Sequence, residues 1–387
     1  MRPCPISNGM KILLTGGGSK GHVYPVMAVA ESLRELAKQH KIVDMRLFFM
    51  APEPYDEAKL YDLGITFVPN TAGKVRRYAS ILNIFDSFKT GWGIITSMWR
   101  IFSIFPDVIF GKGGYASFPA LVAGRILGIP VVIHESDMAP GRANKWAGKF
   151  AARVAVSYAE AGKLFPHPDR VAVTGQPVRK EIEMPLIEGA HEFFQFENRL
   201  PTLFVIGGSQ GASLINDAII EVLPELLKHY QVIHQTGQEK FVQVTKTAEA
   251  TLYASEFKHR YKPFGYMDPL NLRMAAGAAT LIITRAGSTI FEIAAWGKPS
   301  IVIPITDSNG DHQRKNAYAY ARSGACTVIE EKNLSYNILL SEINRIASSP
   351  ELITSMSTAA HNFYQAGAAD KIASEILEIA LEHEAGK

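Results

Sequence analysis

Twice along this chain a short apolar run enters a glycine-rich loop and continues as helix-forming sequence. The first copy is KILLT at 11–15 followed by Gly16, Gly17, Gly18, Ser19, Lys20 and Gly21; the second is TLFVI at 202–206 followed by Gly207, Gly208, Ser209, Gln210 and Gly211. A helix that opens after such a loop leaves its first backbone N–H groups unpaired and turns the positive end of its dipole toward an anion, while glycines let a ligand approach the backbone. Two such cradles predict two similar domains facing a shared cleft.

Strand-like runs alternate with helix-length segments throughout, the pattern of α/β domains with mostly parallel sheets covered by helices. The first half has runs at 11–15, 46–50, 66–69, 108–110, 131–134 and 171–174; a second series starts at 202–206 and continues at 231–235, 261–264, 281–284 and 300–304. The polar, less regular stretch 180–199 reads as a linker. The expected division is a first domain at 1–180, a second at 181–360, and a closing helix at 361–387 that crosses back onto the first.

At 387 residues the chain can bury two ordinary cores. Its two cysteines, Cys4 and Cys326, argue against a disulfide framework or a cysteine-rich metal site, and MRPCPISNGM lacks the apolar centre of a signal peptide. Charge is divided unevenly: residues 1–184 carry 23 Lys and Arg against 15 Asp and Glu, a net of +8, and residues 185–387 carry 17 against 22, a net of −5. A basic first half suits an anionic membrane surface or a phosphorylated substrate. No clustered Lys/Arg run marks a nucleic-acid binder, so no nucleic-acid partner is expected.

The segment 74–105 mixes Lys74, Arg76, Arg77, Lys89 and Arg100 with Phe85, Phe88, Trp92, Ile95, Trp99, Phe102 and other large apolar residues. Charge interrupts it too often for a bilayer span, which needs about 20 mostly apolar residues. Two readings stay open: the apolar residues are core, or the segment lies in a bilayer interface with Trp and Arg at headgroup level.

Residues 16–21 satisfy a literal G-x-G-x-x-G, which many α/β proteins share, but a dinucleotide site also wants an acid closing the second strand, and Glu53 is poorly placed for it. The loop runs instead into His22, a group that can shuttle a proton near neutral pH or simply cap the helix. In the second half, 284–292 puts Glu292 at the start of an apolar helix after a small-residue turn. A carboxylate there can bridge ribose hydroxyls or merely favour the helix dipole, worth roughly 0.3 to 1 kcal/mol. Asp311, His312, Gln313 and Asn316 fall in a loop after the next strand, with groups suited to sugar hydroxyls.

Together GGGSKGHVYP at 16–25, GKGGYASFPA at 111–120, HESDMAPGRANKW at 134–146, TGQPVR at 174–179, GGSQGA at 207–212, RAGSTIFEIAAWGKP at 285–299 and DHQRKNA at 311–317 resemble, in order and spacing, the MurG family of glycosyltransferase family 28. The resemblance spans 11–330. It implies a GT-B fold, two Rossmann-like domains with parallel sheets facing a central cleft, and transfer of N-acetylglucosamine from UDP-GlcNAc to undecaprenyl-linked lipid I, giving lipid II for peptidoglycan. By motif it implies donor binding by Arg179, Ser209, Gln210, Gly211, Tyr266, Met267, Arg285, Ser288, Glu292, His312 and Gln313. The acceptor face would comprise Gly17, Gly18, Ser19, Gly21, Gly113, Gly114, Tyr115, Asp137 and Asn144, with Glu135 beside them. It also implies peripheral docking on the cytoplasmic leaflet, which matches 74–105. Lys20 stands where the family has glycine, Gln176 where it has asparagine, and the stretch from Arg285 to Glu292 is one residue short of the family pattern.

For the reaction, the muramyl 4-hydroxyl must lose its proton as it attacks the anomeric carbon. His22 is the expected base, with Glu135 and Asp137 as rivals. No Asp-X-Asp triplet occurs, so neither a metal nor any other cofactor is expected. The competing readings are a related GT-B enzyme with another lipid or natural-product acceptor, a sugar-nucleotide-binding membrane scaffold without turnover and, more distantly, an NAD-dependent oxidoreductase.

Overall fold

The computed structural model describes residues 9–18, 20–73, 81–207 and 212–385. They form two compact α/β units: one runs to Arg179 and is completed by the chain from Gly367 onward, and the other is Lys180–Ala366.

In the first unit, strands β1 (Met10–Thr15), β2 (Met45–Ala51), β3 (Ile65–Pro69), β4 (Val108–Gly111), β5 (Val131–Glu135), β6 (Arg153–Val156) and β7 (Val171–Val173) make one parallel sheet. Its order is β3-β2-β1-β4-β5-β6-β7. The second unit repeats the plan with β8 (Thr202–Ile206), β9 (Gln231–Gln235), β10 (Tyr261–Phe264), β11 (Leu281–Thr284), β12 (Ser300–Val302) and β13 (Cys326–Val328), ordered β10-β9-β8-β11-β12-β13. Strands buried on both faces read as continuous apolar runs, which is why β1, β8 and β11 stand out in the sequence. The order reverses between β1 and β4 and again between β8 and β11, the places where open α/β sheets hold ligands. Two strands escape the sequence reading. β6 has only four residues and opens on exposed Arg153, and β13 has three, so neighbouring strands rather than their own pattern define them.

The stretch 180–199 is not a free linker; it is built into the second unit. Trp296 Nε1 donates to Ile182 O at 2.7 Å, and Leu186 N donates to Arg273 O at 3.0 Å. Gln231, buried in β9, accepts from Glu197 N at 2.6 Å and donates to Glu197 O at 2.9 Å. A polar composition suggested solvent exposure, but the polar groups that matter here are backbone atoms bonded to the body of the domain. At the other end of the chain, the helix Ala368–Ala385 belongs to the first unit. It buries Ile372, Ile376 and Leu377 against the helix Lys20–Gln39, and Glu375 pairs with Arg153 at 2.6 Å.

β9 also buries His234, whose ring lies between Asn216 Oδ1 at 3.0 Å and Tyr261 Oη at 2.9 Å. Asn216 Nδ2 is committed to Thr236 O at 3.0 Å, so its oxygen accepts from Nε2–H and the phenol donates to Nδ1. Burial holds the imidazole neutral and pushes its pKa down to about 3. The unfolded chain therefore takes up a proton near the ordinary value of about 6.5 that the folded chain refuses until about pH 3. The sign follows: this contribution to stability is complete above pH 6.5 and is lost as pH falls, by up to about 1.4 kcal/mol per unit. Urea unfolding of the wild type between pH 7 and 5 is expected to show the steeper loss, with His234→Gln flatter by that slope; parallel slopes would show that His234 does not carry it.

The helix Ile81–Ile104 is inverted relative to an ordinary surface helix. Asp86, Gly93, Ser97 and Ile101 face inward, where the chain at 71–73 crosses so closely that a methyl at Gly93 would meet Thr71 O at 1.8 Å. Outward point Phe85, Phe88, Trp92, Ile95, Trp99 and Phe102, each 60–75% exposed and spaced by alternating steps of three and four. The core reading therefore fails for these six side chains and holds for Ile101, fully buried, and Met98, packed against the same core; the rest of the inward face is small or polar. Lys74, Arg76 and Arg77 lie outside the described residues.

Candidate functional site: two carboxyl-end loop clusters

In the first unit, the loops leaving β1, β4 and β5 converge. Gly17 and Gly18 have φ of +151° and +95°, and Gly113 and Gly114 have +86° and +79°. Space and conformation both require glycine at 114: an added methyl would lie 2.3 Å from Gly17 O and 3.5 Å from His22 Cδ2. One at Gly113 would meet Asn144 Nδ2 at 2.8 Å. Gly17, Gly18, Gly113, Gly114 and Asn144, all expected on an acceptor face, thus share one loop cluster. Gly21 and half-buried His22 occupy the first turn of the helix Lys20–Gln39, and Tyr115 opens the short turn Tyr115–Ser117. Ser19 lies outside the described residues.

Glu135 is placed as a loop fastener. Its Oε1 accepts from Asp137 N at 3.0 Å, and its Oε2 accepts from Gly141 N and Asn144 Nδ2, both at 3.0 Å. Asn144 Nδ2 also reaches His134 O at 2.9 Å. Burial and then the Asp137 charge push the Glu135 carboxyl up, against the N–H donors and Lys112 that favour its charged form. A carboxylate with both oxygens committed holds the 135–141 loop and is poorly available as a base.

Sequence reasoning passed over Lys112, which is fully buried between these loops and donates from Nζ to Ser136 Oγ. Burial lowers its pKa to about 8, opposed by the charges of Glu135 and Asp137. A lone lysine within the small-residue run GKGGY was the available signal. Arg179, expected at the donor, is the last residue of the first unit and stacks over the Tyr24 ring at 4.0 Å.

In the second unit, the remaining candidates lie in the loops after β10, β11 and β12. Met267 is buried and Tyr266 is 40% exposed, just beyond β10. After β11, Ser288 precedes the helix Thr289–Ala295, with half-buried Glu292 in its first turn. A methyl at Gly287 would meet nothing within 4 Å, so that turn is open. Arg285 is occupied: it donates to Ile303 O at 3.0 Å and to Glu331 Oε1 at 2.7 Å, while Glu331 Oε2 accepts from Thr306 N at 3.0 Å. Arg285 therefore ties the β11 loop to the β12 loop, and Glu331, which sequence reading missed, is the knot. Burial opposes ionisation of Glu331, but the Thr306 and Arg285 hydrogen bonds together hold its carboxyl below the ordinary range.

His312 and Gln313 begin the helix His312–Arg322 rather than lying in a loop, after left-handed Asp311 with φ of +58°. Gln313 Oε1 accepts from Ile305 N at 3.1 Å, and buried Asn316 Nδ2 donates to Ala286 O at 3.1 Å. Ser209, Gln210 and Gly211 lie outside the described residues.

Residues 12–156 match the glycosyltransferase family 28 N-terminal domain and residues 202–373 the glycosyltransferase family 28 C-terminal domain. The chain belongs to glycosyltransferase family 28. Relatives within the family include the UDP-N-acetylglucosamine--N-acetylmuramyl-(pentapeptide) pyrophosphoryl-undecaprenol N-acetylglucosamine transferase of Treponema denticola, 34% identical over 345 residues, 85% of this chain and 86% of the relative. The protein of the same name in Legionella pneumophila is 35% identical over 338 residues, 87% and 88% of the two chains. Among solved structures, Acinetobacter baumannii MurG is 23% identical with a TM-score of 0.71, over 96% of this chain and 99% of that one. Staphylococcus aureus MnaA in complex with UDP is 15% identical with a TM-score of 0.69, over 97% of each chain. As a family 28 member the chain is a glycosyltransferase of GT-B architecture, which explains two parallel sheets with matching switch points. The oxidoreductase reading is thereby excluded.

Proposed function

We propose that this glycosyltransferase moves N-acetylglucosamine from UDP-GlcNAc to the muramyl 4-hydroxyl of lipid I, forming lipid II with inversion at the anomeric carbon. The observation that carries the reading is identity of 34% over 345 residues, covering 85% of this chain, to a protein named for this transfer. The first loop cluster, Gly17, Gly18, Gly113, Gly114, Tyr115 and Asn144, receives the acceptor, and His22 takes the proton of the attacking hydroxyl. On the donor side, Glu292 binds the ribose, Tyr266 and Met267 flank the uracil, and His312 and Gln313 meet the sugar hydroxyls. Helix and loop N–H groups stabilise the departing diphosphate, and no metal takes part.

Among the described residues no helix is long and apolar enough to cross a membrane. The outward aromatic face of Ile81–Ile104 instead docks the enzyme on the anionic cytoplasmic leaflet, where its lipid-linked acceptor resides.

The test is transfer of radiolabelled N-acetylglucosamine from UDP-GlcNAc to a soluble lipid I analogue, with and without EDTA. Turnover is expected to be unaffected by EDTA, and Glu292→Ala is expected to raise the donor KM about 10- to 100-fold, the loss of charge-assisted hydrogen bonds to a diol. UDP-GlcNAc binding without turnover would point to another acceptor or to a scaffold, and loss of turnover in EDTA would end the metal-free mechanism.

A further inference from the structure

Tyr55 lies in the loop after β2, within PEPYD, and makes no appearance in any motif discussed above. Its φ is +62°, and Asp56 N donates to Pro54 O at 2.7 Å across it, so Tyr55 is the centre of a tight γ-turn. That conformation is rare and strained for a bulky residue, and Pro54, which supplies the turn's first carbonyl, enters it with a fixed φ. The side chain reaches the first glycine loop: Gly18 N donates to the phenol oxygen at 2.7 Å. A methyl at Gly17 would meet that oxygen at 2.9 Å, so the glycine makes room for the phenol as well as for a ligand.

The loop amide that an anion would be expected to take is therefore already held by a hydroxyl. A phenol that accepts one hydrogen bond still has its own O–H to give, and accepting from the amide strengthens that donation. Burial pushes the Tyr55 pKa up against the opposing effect of the Gly18 hydrogen bond, so the group keeps its proton. We propose that Tyr55 positions the acceptor: its O–H, anchored on the Gly18 amide, donates to an oxygen of the acceptor diphosphate and carries the loop's anion recognition outward by one hydroxyl. The strained turn fits this role, because it fixes the phenol in place before substrate arrives. The assignment rests on the reading of the first loop cluster as the acceptor site.

The test is steady-state transfer by full-length Tyr55→Phe, which keeps the ring against the loop and removes only the hydroxyl, with thermal melts alongside. Expected are an acceptor KM raised about 5- to 20-fold, kcat within twofold, and unchanged donor KM and melting temperature, as for loss of one hydrogen bond to a charged group. Tyr61→Phe, at a phenol 86% exposed on the following helix, is expected to change nothing. An unchanged acceptor KM overturns the proposal, as does a parallel loss of kcat and melting temperature, which would mark a structural role. Hydrogen exchange separates the acceptor site itself from the part Tyr55 plays in it. Slowed exchange at 15–25 and 111–118 on adding the lipid I analogue supports the acceptor site; absence of it sinks that reading and Tyr55 with it. Slowed exchange together with an unchanged KM in Tyr55→Phe sinks Tyr55 alone.

Discussion

Replacing His22 with alanine is expected to lower kcat for transfer by about 10²- to 10⁴-fold, the range a positioned general base contributes, while leaving the donor KM within a few-fold. The reason is placement. His22 stands half-buried in the first turn after the glycine loop, beside Gly114, where the loops from β1 and β4 meet. Its rival Glu135 has both carboxylate oxygens engaged by Asp137, Gly141 and Asn144. The two therefore separate experimentally. Single-turnover rates with the lipid I analogue should collapse in His22→Ala without loss of melting temperature. A His22→Ala enzyme retaining more than a tenth of wild-type kcat would move the base elsewhere.

The other large effect is expected at the aromatic helix. The triple substitution Phe88→Ser, Trp92→Ser and Trp99→Ser should cut partitioning onto anionic vesicles by about 10²- to 10⁴-fold. These three side chains are 62–75% exposed. Sinking each even partway into an interface removes of the order of 40–80 Å² of apolar surface from water, about 1–2 kcal/mol apiece at roughly 25 cal/mol/Å². Because the inward face is Asp86, Gly93, Ser97 and Ile101, the fold loses nothing by the change, and turnover of a soluble, short-chain acceptor should persist. Vesicle sedimentation gives the answer directly: equal partitioning of variant and wild type would leave the stripe without this role.

The architecture was legible because its signals are local. A buried parallel strand must be apolar along its whole length and a phosphate-type loop must be glycine-rich, so β1 and β8 with their loops announce themselves, and with them the doubled α/β plan. The glycines of the β1 and β4 loops were equally readable, since a side chain fits poorly in those conformations beside a neighbouring backbone. The roles of individual charged and polar groups were not. Arg285 and Glu135 carry the chemistry of ligand-binding residues, and only the fold shows Arg285 spent on Glu331, 46 positions away, and Glu135 spent on its own loop. The direction of the Ile81–Ile104 helix was likewise undecided by composition, because an apolar stripe reads the same whether it faces core or solvent. Sequence thus determined the doubled α/β plan, the glycine loops and the family, which depend on periodicity and backbone conformation, while the short strands β6 and β13 took their place from their neighbours. Which polar side chains are committed to the fold's own loops was decided by tertiary structure alone, since a hydrogen bond's partner is chosen by proximity in space.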